Sequence, residues 1–277
     1  MELTSTAARE RYDALAAHLS RTVVGLDFDG VLSPIVDEPS EAHIHPGARE
    51  VLVDLAEVVR AIAVITGRPA RQALALGELD TVGADIADHG KELFVFGQYG
   101  NERWSSTQRR VVSPRPPAGL ATFERDLPAL LRRLGAEEAH VEEKGLAVAV
   151  HTRRLTDPQH ARDRLMEPLR ELAEQHHLVL EPGRNVIEVR SPGMTKGQAV
   201  RTLVAEQDAH GMFFAGDDLG DLDAFEAVAE LRERGGPTLL VCSLSEEENA
   251  LAEHADVIVK GPEGVLELLR EITSRAG

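Results

Sequence analysis

Short apolar runs rich in Val, Ile, Leu and Ala alternate with helical patterns between residues 21 and 87, and the alternation returns from residue 211 onward. This repeat constrains the fold more than any other feature. "TVVGLDF" (22–28) reads as a buried strand, "PGAREVLVDLAEVV" (46–59) as a helix opened by Pro46, and "AIAVIT" (61–66) as a second strand. "PARQALALG" (69–77) gives a helix that stops at Gly77. Near the end come "GMFFAGDD" (211–218), a helix over 221–232, the strands "PTLLVCS" (237–243) and "DVIV" (256–259), and a last helix over 264–273. Strands joined through helices imply right-handed crossovers and a parallel sheet covered on both faces. The stretch "ELFVFGQYGNERW" (92–104) predicts a hairpin turning at Gly100-Asn101.

The texture changes between residues 109 and 190. A stiff "SPRPPAG" (113–119) precedes a helix over 120–135 and two adjacent strands, "AHVEEKGL" (139–146) and "AVAVHTRR" (147–154). A helix over 158–176 and the strands "HLVLEP" (177–182) and "NVIEVR" (185–190) follow. Helix–strand–strand repeated twice favours an antiparallel sheet with helices on one face. The expected organisation is therefore a core made of residues 1–108 and 191–277, interrupted by an inserted α+β cap, or lid, over 109–190.

The totals narrow the function classes. The 277 residues suffice for two modest domains, and an apolar fraction of 43% with 28% charged residues suits a globular chain. Aromatics are only 4%, so the cores must rest on Ala, Val and Leu. A single cysteine, Cys242, excludes an internal disulfide and fits a reducing cytoplasm. The opening "MELTSTAARERYDALAAHLS" is charged and amphipathic, unlike a signal peptide, with a helix expected near 4–18. No apolar run is long enough to span a bilayer. The formal charge of −17 argues against nucleic acid or an anionic membrane as partner. It also demands a local cation if the substrate is an anion.

Four short signals carry chemistry. In "DFDG", Asp27 and Asp29 stand at i and i+2 of an extended chain and share one side, and Gly30 permits a sharp turn around them. Strand termination is an equally good account of that motif alone. A calcium loop is excluded, since Val31 and Leu32 occupy its fifth and sixth positions and Pro34 interrupts it. In "VITGR", Thr66 precedes a helix and can either cap it or accept a phosphate oxygen. In "GMTKG", Lys196 opens a helix, where the dipole disfavours a cation unless it meets an anion or several carboxylates. The glycine-lysine spacing of a Walker loop is absent. In "GDDLGDLD", four acids crowd into seven residues (Asp217, Asp218, Asp221, Asp223). Capping explains one or two of them, and a hard cation with oxygen ligands explains the density better.

Together, and in this order, "DFDGVL", "VITGR", "TKG" and "GDDLGD" resemble the four motifs of haloacid dehalogenase-like phosphohydrolases. The cap lies between the second and third motif, as in that superfamily's larger cap type. More narrowly, "ADHGKEL", "VEEKGLAVAVHTRR" and "GRNVIEVRSPGMTKG" resemble the trehalose-6-phosphate phosphatase family, over nearly the whole chain from residue 23. That resemblance implies a Rossmann-like parallel-sheet core and a Mg²⁺-dependent hydrolase acting through a phosphoaspartyl group on Asp27. Asp29 is then the acid and base, a role that requires it to begin protonated. Thr66 with Gly67 and Arg68 receives the phosphate, and Lys196 offsets its charge. The implied metal ligands are Asp27, the Asp29 carbonyl and Asp217, with Asp218 and Asp221 orienting metal-bound water or Lys196. Candidate sugar contacts are His89, Glu142, Lys144, His151, Arg153, Arg184 and Glu188, with Lys144 and Glu188 foremost. Alternating polar residues on a lid strand account for these equally well.

The sequence departs from the family pattern at Val31, at Thr195 before Lys196, and at Thr152 in place of a tyrosine. The last of these and the "ADHG" variant keep other substrates open: a related phosphorylated disaccharide, a glucosyl polyol or an aminocyclitol pseudo-disaccharide. A phosphomutase and a non-catalytic sugar-phosphate-binding regulator are the competing classes. The expected assembly is a cytoplasmic monomer, with a homodimer as the alternative.

Overall fold

A computed structural model of the chain describes residues 1–36, 38–183, 185–193, 195–244 and 250–275. The chain divides into two compact units, Met1–Ser113 with Thr195–Gly277, and Pro114–Met194. The first is built on an eight-stranded sheet. Its strands are β1 (Glu2–Leu3), β2 (Thr22–Leu26), β3 (Ala61–Ile65), β4 (Leu93–Gly97) and β5 (Glu102–Ser105), then β10 (Gly211–Gly216), β11 (Thr238–Leu244) and β12 (Val257–Lys260). Their order across the sheet is β1-β12-β11-β10-β2-β3-β4-β5. The six inner strands run parallel, as the strand–helix alternation requires. The two edges are antiparallel, β1 on β12 and β5 on β4. β1 has two residues, too few to register as a pattern.

Strands β2, β3 and β10 are buried along their whole length, so their lack of alternation reflects helices on both faces. On one face pack α1 (Thr6–Ala16), α2 (Ala48–Val58), α3 (Ala70–Leu76), α4 (Leu79–Asp88) and α9 (Gly261–Ser274). Their apolar stripes, such as Val51, Leu52, Leu55 and Ala56 of α2, meet Val24, Leu26, Ile62 and Val64. On the other face, α7 (Lys196–Glu206) and α8 (Leu222–Glu233) cover Val23, Ala63, Ile65, Met212 and Phe214. Helix α1 is capped by the Ser5 hydroxyl, which accepts from the Ala8 N–H at 3.0 Å. Helix α4 has no counterpart among the sequence expectations. After α3 the chain passes Glu78, at φ +46°, before the next helix begins.

The position of the site follows from the order of connections. From β2 the chain moves outward through β3 to β4, whereas from β10 it moves the opposite way through β11 to β12. The carboxyl ends of β2 and β10 therefore flank a crevice that no crossover covers.

The second unit holds α5 (Leu120–Arg133), β6 (His140–Glu143), β7 (Ala147–His151), α6 (Pro158–Gln175), β8 (Val179–Gly183) and β9 (Val186–Arg190). Its antiparallel sheet is ordered β6-β7-β9-β8. Val148, Val150, Ile187 and Val189 pack on Phe123, Leu127, Leu165 and Leu169 of the two helices. By strand alternation, the opposite face carries Glu142, His151, Glu181, Glu188 and Arg190. Asp157 caps α6 by accepting from the His160 N–H, with Pro158 at the first helical position. Among the described residues, no helix is long and apolar enough to cross a membrane.

One buried carboxylate ties the sheet edge together. Asp256 accepts from Arg11 and Arg232, each at 2.5 Å, and from the Leu240 N–H at 2.9 Å. Asp256→Ala leaves two guanidinium groups and a buried N–H without this acceptor, at a cost of about 2–4 kcal/mol. A lower urea midpoint with an unchanged slope is the expected result.

Candidate active site

The carboxyl ends of β10, β2 and β3 deliver Asp217, Asp27 and Thr66 side by side. Asp27 follows β2 directly, and its N–H continues the ladder to the Ala215 carbonyl at 2.9 Å. One carboxylate oxygen accepts from the Phe28 N–H at 2.7 Å and the other faces Lys196 Nζ at 2.8 Å. Gly30 then turns at φ +70°, where a Cβ would lie 2.3 Å from Asp217 Oδ2, so a side chain is excluded on both counts. The Ser243 hydroxyl, fully buried at the end of β11, donates to the Gly30 carbonyl at 2.6 Å and fixes the turn.

Lys196 is the first residue of α7 and is 4% exposed. Its ammonium spans Asp27 at 2.8 Å and Asp221 at 2.7 Å, which offsets the unfavourable helix dipole. Asp221 also accepts from the Asp217 N–H at 3.1 Å. Carboxylate oxygens of Asp27, Asp217 and Asp221 lie within 4.8 Å of one another. Burial is the first cause that raises the proton affinity of all three acids above the ordinary carboxylate range. The neighbouring carboxylates add to the rise, and Lys196 opposes it. Burial works against the charged form of Lys196, but Asp221, Asp27 and Asp218 outweigh it and keep the ammonium protonated. The Cys242 thiol, on the adjacent strand, is pushed up to about 12 by burial and by Asp217 and Asp221, so it is inert.

Three buried carboxylates share one lysine. The surplus negative charge, the oxygen-only donors and the small Gly30 that makes room for Asp217 fit a hard divalent cation. Asp27 and Asp217 each keep 5% exposure toward the crevice end of their strands, whereas Asp221 is fully buried. Asp218 lies outside this cluster: it is exposed and accepts from the Gly220 N–H at 2.8 Å, capping its own turn.

Asp29 takes a different partner from Asp27. Arg68 grips both its oxygens, Nε and Nη2 each at 2.7 Å. The guanidinium also donates to the Pro39 carbonyl at 2.9 Å and lies over the Phe28 ring at 5.5 Å. Arg68, expected on the substrate, is thus held on Asp29, a contact no local pattern could have announced. Thr66 is 1% exposed, and its hydroxyl accepts from the Arg68 N–H at 3.1 Å.

The remaining expected residues are dispersed. His89 ends α4, before β4 begins, and pairs with Glu57 at 3.2 Å. That is the amino end of the strands, so the structure does not bring His89 to the site. In the second unit Lys144 meets Glu188 at 2.5 Å and His151 meets Glu142 at 2.9 Å. Glu188 is 5% exposed. Arg190, absent from the expected set, binds Glu181 at 2.7 Å on the same sheet face. Arg153 sits in the exposed loop after β7, and Arg184 lies outside the described residues.

An open parallel sheet with an inserted α+β unit and this acid–lysine cluster define the class of haloacid dehalogenase-like hydrolases. A haloacid dehalogenase-like hydrolase from Bacteroides thetaiotaomicron shares the fold with TM-score 0.61 at 14% identity, covering 91% of this chain and 99% of its own. The family model described as trehalose-phosphatase matches residues 25–257, and the chain belongs to that family. Trehalose-phosphate phosphatase B of Arabidopsis thaliana is 30% identical over 244 residues, 85% of this chain and 63% of that protein. A glycosyl hydrolase of Mycobacterium tuberculosis is 34% identical over 221 residues, 75% of this chain but only 15% of that protein. The chain therefore spans less than two thirds of these curated relatives. The C-terminal domain of the Candida albicans trehalose-6-phosphate phosphatase has the same fold, with TM-score 0.78 at 18% identity, covering 99% of this chain and 98% of its own.

The crowded acids set a pH signature. Carboxyls whose proton affinity is raised in the folded state stabilise it while protonated, and that contribution is lost as pH rises above the unfolded value of about 4. Lys196 contributes evenly across pH 5 to 8, because its ammonium stays protonated throughout that range in both states. In a chelator, Asp217→Asn is expected to flatten the fall of Tm between pH 5 and pH 8 and to exceed the wild-type Tm at pH 8.

Proposed function

We propose that the protein is a Mg²⁺-dependent phosphatase that hydrolyses trehalose 6-phosphate to trehalose and inorganic phosphate. The observation that carries this reading is the buried Asp27–Lys196–Asp221 arrangement beside Asp217, at the crevice between β2 and β10. In this proposal Asp27 and Asp217, with the Asp29 carbonyl, hold the cation, which when bound offsets the negative charge of the phosphoryl oxygens.

Asp27 Oδ attacks phosphorus, forming an Asp27–phosphorus bond as the bond to the sugar oxygen breaks. Lys196 steadies the charge gathering on the phosphoryl group, and Thr66 with the Gly67 N–H receives its oxygens. Asp29 gives a proton to the departing sugar oxygen, then takes one from the water that cleaves the Asp27–phosphorus bond. The Arg68 fork fixes the position of both Asp29 oxygens for these transfers. On the second unit Lys144 and Glu188 are the leading sugar contacts: both are largely buried, and the Glu188 Oε1 has no hydrogen-bond partner among the described residues. We further propose a cytoplasmic protein acting on a free phosphorylated disaccharide.

The test is phosphate release from a panel of trehalose 6-phosphate, sucrose 6-phosphate, glucosylglycerol phosphate, glucose 6-phosphate and a pseudo-disaccharide phosphate, with and without Mg²⁺. Selective release from the first, abolished in Asp27→Asn, is expected. A preference for another panel member moves the specificity to the second unit, and no release from any overturns the reading. The acid role of Asp29 is checked separately. Asp29→Asn should slow trehalose 6-phosphate by about 10²-fold or more, yet affect the first-turnover burst of 4-nitrophenolate from 4-nitrophenyl phosphate far less, because that leaving phenolate needs no proton.

A further inference from the structure

The hairpin between β4 and β5 turns where expected, but by an unexpected route. Gln98, Tyr99 and Gly100 follow one another with φ of 47°, 61° and 101°. Left-handed backbone is natural for Gly and tolerable for Asn or Asp, and a turn that only reverses the chain selects those residues. A Gln-Tyr pair in this conformation carries strain of the kind retained at working sites.

The surroundings show what the turn holds. The Tyr99 N–H donates to the Thr66 carbonyl at 2.9 Å, and the Gln98 N–H donates to the Arg68 carbonyl at 2.8 Å. The phenol ring lies against Gly67: a Cβ there would stand 3.0 Å from both Cζ and Oη of Tyr99. Glu102, on the strand after the turn, accepts from the Ala70 N–H at 2.6 Å and pins the chain just beyond. Every residue of the Thr66-Gly67-Arg68 loop is thus gripped by this one hairpin.

We propose that Tyr99 is a positioning residue, whose ring, delivered by the strained turn, holds the Thr66-Gly67-Arg68 loop in the shape that accepts a phosphoryl group. This rests on the reading of Thr66 as a phosphate contact. Tyr99 acts through that loop, and the strain persists because no glycine or asparagine supplies the ring.

The test uses the full chain with Tyr99→Gly and Tyr99→Asn, both of which suit the left-handed backbone, together with Tyr99→Phe, which keeps the ring. Both ring-deleting variants are expected to lose at least about tenfold in kcat on trehalose 6-phosphate with a smaller change in KM. Their Tm should stay within a few degrees of wild type. Tyr99→Phe should retain wild-type kcat. Adding Tyr99→Gly to Thr66→Val should cost no more than Thr66→Val alone, the sign of residues acting as one unit. Wild-type kcat in both ring-deleting variants, a loss in Tyr99→Phe equal to theirs, or multiplying losses in the double variant would each overturn the proposal. A second readout needs no turnover: the rise in Tm given by orthovanadate with Mg²⁺ should shrink in Tyr99→Gly and Tyr99→Asn. If the wild type dephosphorylates nothing, the functional reading fails, and this binding series alone decides the role of Tyr99. An undiminished orthovanadate response in both variants counts against it.

Discussion

The ion cluster around Lys196 is the interaction on which the first unit turns. Three buried carboxylates and one buried ammonium cannot be arranged at random in a low-dielectric interior; each unpaired charge there costs several kcal/mol. The cluster is tolerable only because Lys196 bridges Asp27 and Asp221, which lie on different elements. Holding that bridge requires β2, the start of α7 and the turn after β10 to keep their relative positions. The parallel sheet supplies this rigidity, since β10 and β2 are hydrogen-bonded neighbours up to the residues preceding the acids.

Charge also explains why the site is incomplete as a stability device. One lysine against three acids leaves surplus negative charge, and a fold selected only for stability would replace an acid with an apolar residue. The surplus is useful if a cation and a phosphate arrive together, because their charges then sum with the site toward neutrality. An acidic chain carrying −17 can thus attract an anion locally. Ser243 and Gly30 act together on the same space: the Ser243 hydroxyl ties the turn after Asp29 to β11, and the missing Gly30 side chain leaves room for Asp217.

Much of this was legible in the sequence because the informative residues interrupt strong patterns. Asp27 and Asp217 end apolar runs, and Lys196 opens a helix where a cation is disfavoured, so each stands out locally. The parallel order followed from alternation alone. What stayed hidden depends on contacts between distant segments. Nothing near Arg68 announces Asp29, nothing in "LLVCS" marks Ser243 as the support of Gly30, and β1 is too short to show a period. His89 illustrates the opposite error: "ADHG" resembles a motif locally, but its place before β4 sends it to the wrong end of the sheet.

The Gln98-Tyr99-Gly100 turn shows how far local patterns can reach. Apolar alternation located the hairpin, and Gly100-Asn101 is a sound turn signal. The chain reverses over residues 98–101, which include that pair, but passes through a tyrosine in left-handed backbone whose ring lies against Gly67. Turn propensity ranks conformations by their own cost, whereas the tertiary contact adds a term that propensity cannot contain. A tyrosine where glycine is cheaper is therefore informative once the fold is known: the gap between the residue expected and the residue present points to the loop it serves.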